Sequence, residues 1–502
     1  MSDGGEEEVR RVLERAQFYL ECGLTEDAVR HLEDALALAP DDARLQAALD
    51  RIRPQPARPG RVFDIKPKRL PGAGGEDLVA AFATAYRDRD WAGAADAARA
   101  LTSARPDDAR AWNSLAAAER RLADFDAALD AHDRAVALNP AAPGPALARA
   151  KTLWEAGRLE EADAAYGAQL PKLDEGGPQY ADARMSRGMI RMTLGGPAAG
   201  IDDYEWRWRT GQIALPEVTQ PYWDGTPQPD KRVLFYGEQG FGDAIQFARY
   251  VPLIAARCAR VVVPCKPEIR RLMETLPGAP EICGEKIARD SFDLYVPAMS
   301  AMRLFEDLPG ETPYLAATDG DIARLRPRIE GGGGFRVGIA WTGSPTNGGD
   351  WKRAIDPALF GALARVPGVN LYSLQKVRDD TPEPFRRLPE GTVDLAPMLN
   401  DFADTAAAIA CLDLVVSADT SVAHLAGALA KPVWVMLPKV PDWRWMLGRD
   451  DSPWYPTMRL YRQDAFGDWP GVMARVAADL VGFEPTGRKQ ARGLTRLLPW
   501  RR

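Results

Sequence analysis

Two short stretches combine residue types that could act on a phosphate-bearing substrate. In the first, Asp419, Thr420 and Ser421 stand between an apolar, β-branched run (Leu412 to Val416) and a run with helical spacing (Val422 to Leu429) that carries His424. A second apolar run, Val433 to Leu437, follows. The three polar residues therefore fall at a helix N-terminus after a strand. Unbonded backbone N–H groups and the positive end of the helix dipole gather there, and hydroxyls beside them suit a phosphate. The same residues also serve as plain N-caps, and His424 also suits a core position. In the second stretch, the short strand Arg232 to Tyr236 runs into Gly237, Glu238, Gln239, Gly240, Phe241, Gly242 and Asp243, and then into a helical run from Ala244 to Arg257. Glycines let a backbone or ligand approach without a Cβ in the way. A carboxylate at the carboxyl end of a strand is where an open α/β sheet would place a general base for an incoming hydroxyl. Asp243 as the helix N-cap is the plainer alternative.

The elements around these stretches alternate between β and α. Ala259 to Pro264 and Phe292 to Val296 read as strands, with a helix over Glu268 to Leu276. Glu330 to Gly334 forms a glycine hinge, and the alternation restarts at Phe335 to Trp341. It continues with a helix over Pro357 to Val366, a strand over Val369 to Leu374, a helix over Asp404 to Ala410 and a late helix over Val472 to Val481. Two α/β halves joined by a hinge leave a cleft between facing strand ends. Loops of the second half add Trp341, Thr342, Gly343, Lys352, Arg353 and Gln375 to the polar set. Basic, hydroxyl and amide groups without a carboxylate cluster would neutralise a nucleotide phosphate by a cation and a helix end rather than by a metal. Lys352 and Arg353 also read as surface charges. The glycines at 237, 240 and 242 do not make a dinucleotide site, because no acidic residue at a second strand end completes that fingerprint.

Upstream, residues from about Val9 to Gln212 are rich in Ala, Leu, Arg, Asp and Glu with regular breaks. Asn139-Pro140 follows Arg105-Pro106 by 34 positions, and Ala39-Pro40-Asp-Asp-Ala gives the same signal earlier, which is the length of a tetratricopeptide repeat. Helical pairs fit 9–39, 77–106, 109–140, 144–170 and 179–210. Stacked pairs form a concave groove for an extended or helical peptide, so the array predicts a protein partner; a rigid spacer or a dimer surface is the alternative. The expected organisation is a helical hairpin at 1–52, a Pro/Gly-rich linker at 53–75, the array at 76–215, a first α/β lobe at 230–330, a second at 335–484 and a basic tail at 485–502.

The 502 residues suffice for several domains, and the formal net charge of −7 argues against a nucleic-acid partner. Five cysteines (Cys22, Cys258, Cys265, Cys283 and Cys411) without a CxxC pair, and three histidines, argue against a zinc site. No apolar run approaches a membrane span, and the acidic start Met1-Ser-Asp-Gly-Gly-Glu-Glu-Glu lacks the features of a signal peptide, so a cytoplasmic location is expected.

Gly237 to Pro252, Ser373-Leu-Gln375, Asp401 to Thr405 and Asp419 to Leu429 together resemble bacterial tetratricopeptide-repeat proteins with a heptosyltransferase-like (family 9) glycosyltransferase domain. The likeness covers about 230 to 482, and the Tyr204 to Trp208 joint with the repeats extends it over nearly the whole chain. It implies a GT-B fold with an acceptor lobe and a nucleotide-sugar lobe, and an inverting, metal-independent transfer without a cofactor. Asp243 matches the position whose carboxylate deprotonates the acceptor hydroxyl. Asp419, Thr420, Ser421 and His424 match the segment that holds the donor phosphates, and Lys352 or Arg353 the cation that stabilises the leaving group. A repeat array in place of a lipopolysaccharide context resembles protein O-glycosyltransferases, including a group that modifies flagellin with nonulosonic acids from CMP-activated donors. The alternatives are a saccharide or lipid-linked acceptor, and a scaffold whose transferase domain only binds a nucleotide.

Overall fold

Aspartates start successive helices of the N-terminal half. Asp90 accepts from Gly93 N, Asp108 from Arg110 N and Asp124 from Ala127 N, each satisfying an N–H that the first helical turn leaves without a partner. The structure is a computed structural model. It describes Val9, Val12, Leu13, Leu32, Ala35 and Leu36, then residues 42–52, 75–211, 218–238, 240–305, 308–331, 334–343, 350–379, 381–481 and 483. The expected linker before residue 75 and the basic tail lie outside the described residues. So does Gln239 of the glycine loop.

The chain divides into two units, Met1–Ala214 and Leu215–Arg502. In the first, α1 (Ala43–Ile52) contributes Leu45, Ala48 and Leu49 to a small core with Val9 and Leu32. The array follows as antiparallel pairs: α2 (Gly75–Arg87) with α3 (Trp91–Ala104), α4 (Ala109–Arg121) with α5 (Phe125–Leu138), α6 (Pro143–Glu155) with α7 (Leu159–Gln169), and α8 (Pro178–Gly195) with α9 (Pro197–Tyr204). Buried alanines such as Ala94, Ala98, Ala116, Ala118, Ala128 and Ala135 let neighbouring helices approach closely. The turn inside each of the first three pairs uses a residue at positive φ: Arg89 at 59°, Ala123 at 59° and Gly157 at 81°, one repeat length apart. Proline opens α6, α8 and α9, where its missing N–H has no carbonyl to bond. After α9, the guanidiniums of Arg184 and Arg209 lie 5.1 and 4.5 Å from the Trp206 ring.

The second unit contains two all-parallel sheets. The first has strand order β3-β2-β1-β4, with β1 (Gln228–Tyr236), β2 (Cys258–Pro264), β3 (Glu281–Cys283) and β4 (Leu294–Pro297). The second has order β10-β9-β8-β5-β6-β7, with β5 (Phe335–Ala340), β6 (Val369–Ser373), β7 (Thr392–Asp394), β8 (Leu414–Ala418), β9 (Val433–Leu437) and β10 (Met458–Arg462). This is the two-lobed GT-B arrangement. In each sheet the strand order reverses beside the first strand in sequence, so a crevice opens at the carboxyl ends of β1/β4 and of β5/β8. β8 and β9 are buried throughout, as strands covered on both faces must be. The first strand of each lobe carries an arginine clamp, in the middle of β1 and near the start of β5. Arg232 N and Nε bond Asp293 Oδ2 at 2.8 and 3.2 Å, and Arg336 N and Nε bond Asp413 Oδ2 at 2.9 and 2.9 Å.

The helical run expected over 244–257 is broken into α10 (Phe241–Phe247), a 3-10 turn and α11 (Val251–Ala255). Pro252 has no N–H for the carbonyl four residues back, which accounts for the break. The helix read at Glu268 to Leu276 is α12 (Pro267–Met273). A connecting helix, α13 (Asp319–Glu330), precedes the glycine segment and was hidden by its charged sequence and its internal Pro327. In the second lobe follow α14 (Asp350–Arg353), α15 (Gly361–Ala364), α16 (Phe402–Cys411), α17 (Ser421–Ala428) and α18 (Trp469–Val481).

Candidate functional site

The two crevices face each other through α10 and α17, which are in contact. Gly242 makes the approach possible: a Cβ there would lie 3.2 Å from His424 Cδ2 and 3.7 Å from Ser421 Cα. Asp243 is the third residue of α10 and not its cap. Gly240 takes the cap position, and its N–H donates to Asp243 Oδ2 at 3.2 Å. The other carboxylate oxygen, Oδ1, accepts from Arg444 Nη2 at 2.5 Å, a contact between the lobes. With 19% of its side chain open to solvent, Asp243 sits below the rim of the cleft. Burial pushes its carboxyl above the usual carboxylate range; Arg444 opposes the shift and Asp442 adds to it. Glu238 ties the first crevice together by accepting Met299 N at 2.9 Å, which joins the loops after β1 and β4.

In the second lobe, Thr420 is the N-cap of α17. Its Oγ1 accepts from Val422 N at 3.3 Å and lies 3.1 Å from Ser417 Oγ. Thr420 and Asp419 are buried, whereas Ser421 is partly exposed at the first helical position. Burial also raises the Asp419 carboxyl; Arg353 opposes the rise and Asp442 reinforces it. The Trp445 indole lies close enough to favour the charged form, yet its N–H has no hydrogen-bond partner of normal geometry among the described residues. Lys352 and Arg353 close α14 and are partly exposed. Arg353 acts electrostatically on Asp243, Asp419 and His424, which places its charge within reach of all three.

His424 is 5% exposed. Its Nδ1 lies 3.0 Å from Tyr455 OH, and its ring stacks on Trp445 with centroids 5.2 Å apart. Burial, with Arg444, Arg249 and Arg353 nearby, pushes its pKa well below the ordinary histidine value, so the ring is neutral. This satisfied, packed environment is the core position left open by the sequence.

Two residues of the expected donor-side set engage the protein itself. Trp341 does not turn its side chain to a ligand: it is 1% exposed, packs on Phe360 and donates from Nε1 to Phe385 O at 2.8 Å. Strand alternation carried into the first loop residue sends this large ring inward. The Gln375 amide is likewise engaged, its Oε1 accepting the N–H groups of Trp341 and Thr342 at 3.1 Å each. Gln375 therefore shapes the loop after β5 from the loop after β6. Thr342 is buried beside it, and Gly343 is partly exposed.

The sequence reading missed the loop after β9. Arg444 Nε donates to Gln246 Oε1 at 2.8 Å and Nη1 to Asp442 Oδ1 at 2.8 Å, and the guanidinium lies 4.4 Å from the Trp443 ring. The run Asp442-Trp443-Arg444-Trp445 was the available signal, an aromatic and charged cluster directly after a buried strand. Arg249 was missed as well. It is 3% exposed, donates to Trp454 O at 2.7 Å and Pro309 O at 3.0 Å, and stacks 4.6 Å from Tyr455. Among the described residues, no group of three or more His, Cys, Asp or Glu is placed to hold a metal ion, and no helix is long and apolar enough to cross a membrane.

Residues 373–436, which run from the end of β6 into β9, match the family described as Glycosyltransferase family 9 (heptosyltransferase). Over 499 aligned residues the chain is 26% identical to Protein FlbA of Caulobacter vibrioides, covering 91% of this chain and 81% of that protein. Among solved structures, it is similar to the ADP-heptose LPS heptosyltransferase II of E. coli, with 12% identity, TM-score 0.36 and coverage of 50% of this chain and 99% of that one. It is also similar to an O-GlcNAc transferase of Thermobaculum terrenum, with 15% identity, TM-score 0.28 and coverage of 83% and 95%. The chain thus combines a tetratricopeptide-like helical array with an α/β unit resembling family 9 glycosyltransferases.

Proposed function

We propose that this protein is an O-glycosyltransferase acting on a protein acceptor: the helical array captures a polypeptide, and the α/β unit moves a sugar from a nucleotide-activated donor to a Ser or Thr hydroxyl. The observation that carries this reading is the meeting of Asp243, at the crevice of the first sheet, with the α17 N-terminus and the cations Arg353 and Arg444 of the second. Asp243 takes the acceptor proton. A carboxyl raised by burial is a better match to a hydroxyl proton than an exposed one. The oxygen freed of its proton attacks the anomeric carbon from the face opposite the leaving group, and the configuration inverts. Negative charge collects on the departing phosphate. The Ser421 hydroxyl, the N–H groups opening α17, Lys352 and Arg353 stabilise it there, and no metal or cofactor enters the step.

His424 acts by keeping α17 and Trp445 in place rather than by touching the donor. Thr420 caps the helix in the ligand-free protein. Flagellin is the specific acceptor proposed and a CMP-activated nonulosonic acid the specific donor, both on the strength of the architecture. Intact-mass measurement of flagellin, with and without this protein and with each candidate nucleotide sugar, tests the reading. The expected result is a glycan mass that disappears with Asp243→Asn while nucleotide binding persists. Full transfer by Asp243→Asn would remove Asp243 as the base, and unmodified flagellin across all donors would remove flagellin as the acceptor.

A further inference from the structure

Asp243 and Arg444 belong to different lobes and lie 201 positions apart in sequence, yet each fixes the other. The guanidinium is held in three directions. Nε bonds Gln246 of the first lobe, Nη1 bonds Asp442 of its own loop, and Nη2 bonds Asp243. Its plane is further held against the Trp443 ring, and only 9% of the side chain is exposed. The Asp243 carboxylate is pinned at both oxygens, by Arg444 at Oδ1 and by Gly240 N at Oδ2. A planar, fully engaged arginine imposes direction as well as charge, which a flexible ammonium would not.

Resting on the proposed transfer, we infer that Arg444 is the positioning residue of the general base: supplied by the second lobe, it aims the Asp243 carboxylate and sets a positive charge against it, so the base is assembled only where the two lobes meet. The groups facing Asp243 are few. Its own helix start gives Gly240 N, the loop after β9 gives Arg444 and Asp442, and α14 gives Arg353. Asp419, across the cleft, feels the same Arg353, Asp442 and Arg444, and the neutral His424 lies beside Gly242. Without Arg444, burial and the Asp442 charge act on the carboxylate against Arg353 and one backbone N–H alone. The carboxylate then keeps a proton to higher pH and loses its fixed orientation. Arg444 touches no reacting atom in this scheme.

The test compares Arg444→Gln, Arg444→Lys and wild type across pH. Arg444→Gln moves the acid limb of kcat/KM upward by about one pH unit or more, since removing a cation in contact reverses its depression of the carboxyl. Arg444→Lys retains the charge, so the limb stays near wild type while kcat falls on the order of tenfold or more through lost orientation. An unmoved limb in Arg444→Gln, or a rate lowered by one constant factor at every pH in both variants, overturns the inference and leaves Arg444 as a tie between lobes. A second measurement needs no transfer at all. In ligand-free protein carrying 13C-labelled aspartate, the Asp243 carboxyl signal, assigned by its loss in Asp243→Asn, titrates at higher pH in Arg444→Gln. If that midpoint moves but wild type transfers no sugar, the pairing stands and the transferase reading fails. If wild type transfers and the midpoint does not move, the transferase reading stands and the role of Arg444 fails.

Discussion

The two lobes of the α/β unit are built alike at one end and differ at the other. Where the neighbouring strands β4 and β8 start, β1 and β5 carry the same device, an arginine whose backbone N–H and guanidinium both bond the aspartate preceding that neighbour: Arg232 with Asp293, and Arg336 with Asp413. At their carboxyl ends the first lobe has an open glycine loop and a carboxylate on α10, whereas the second has a threonine-capped helix with its N–H groups and a serine hydroxyl at the crevice. The shared end holds each central strand against its neighbour across the crevice. The divergent end gives each crevice different groups, a carboxylate on one side and a helix N-terminus with hydroxyls on the other, which is the division of labour that the proposed transfer uses.

The comparison can be broken most forcefully at Gly427. A Cβ there would lie 2.5 Å from the Tyr455 ring, which is fully buried and bonds His424. Gly427→Ala is expected to cost about 2–3 kcal/mol of stability through overpacking. It should also displace His424 and weaken nucleotide binding, as read by urea unfolding alongside titration with nucleotide. A stable variant with unchanged binding would show that the second crevice tolerates shifts of Tyr455. The paired clamps come next. Asp413→Ala removes a part-buried clamp, with side-chain exposures of 21% and 23%, and should cost about 1–2 kcal/mol. Asp293→Ala, with exposures of 32% and 40%, should cost clearly less. Equal losses would mean that solvent screening does not separate the lobes.

The clamps also set a pH dependence. Bonding to Arg232 holds Asp293 below its ordinary value. Burial pushes Asp413 up, but the bonds to Arg336 outweigh it and bring its carboxyl below the ordinary value. A carboxyl depressed in the folded state contributes stability that is fully present above its unfolded pKa of roughly 3.9 and is lost as pH falls through the folded value. Acid unfolding should therefore be shallower than wild type in both Asp413→Ala and Asp293→Ala. An acid slope unchanged from wild type in either variant would show that its clamp sets no pH dependence. The smallest effect is expected at Gly242→Ala, on the order of 1 kcal/mol or less, because the 3.2 Å approach to His424 can be relieved by a few tenths of an ångström. A larger loss there than at Gly427 would move the critical packing from inside the second lobe to the junction.

What the sequence made legible follows from how local each signal is. The array could be read because its information recurs within one repeat: an aspartate cap at 90, 108 or 124 bonds an N–H two or three residues on. Asp243, Thr420 and Ser421 were legible because a strand followed by a helix fixes where such residues must lie. Arg444 and Arg249 were not, since their partners sit 201 and 205 positions away and nothing in a short window marks the pairing. The burial of the Trp341 side chain was not legible, because the end of a strand does not reveal which face its last side chain takes. β3 and β7, of three residues each, are too short to show a period.

Arg249 bears on how the two lobes could be exchanged between proteins of this build. Its side chain leaves the first lobe and bonds the carbonyl of Trp454 in the second, against the ring of Tyr455. A chimera that exchanges the first lobe at the glycine segment near residue 331 would cut this anchor and separate Asp243 from Arg444. A graft meant to keep function would carry the loop spanning Asp442 to Tyr455 along with the foreign lobe, or exchange Leu215–Arg502 as one piece.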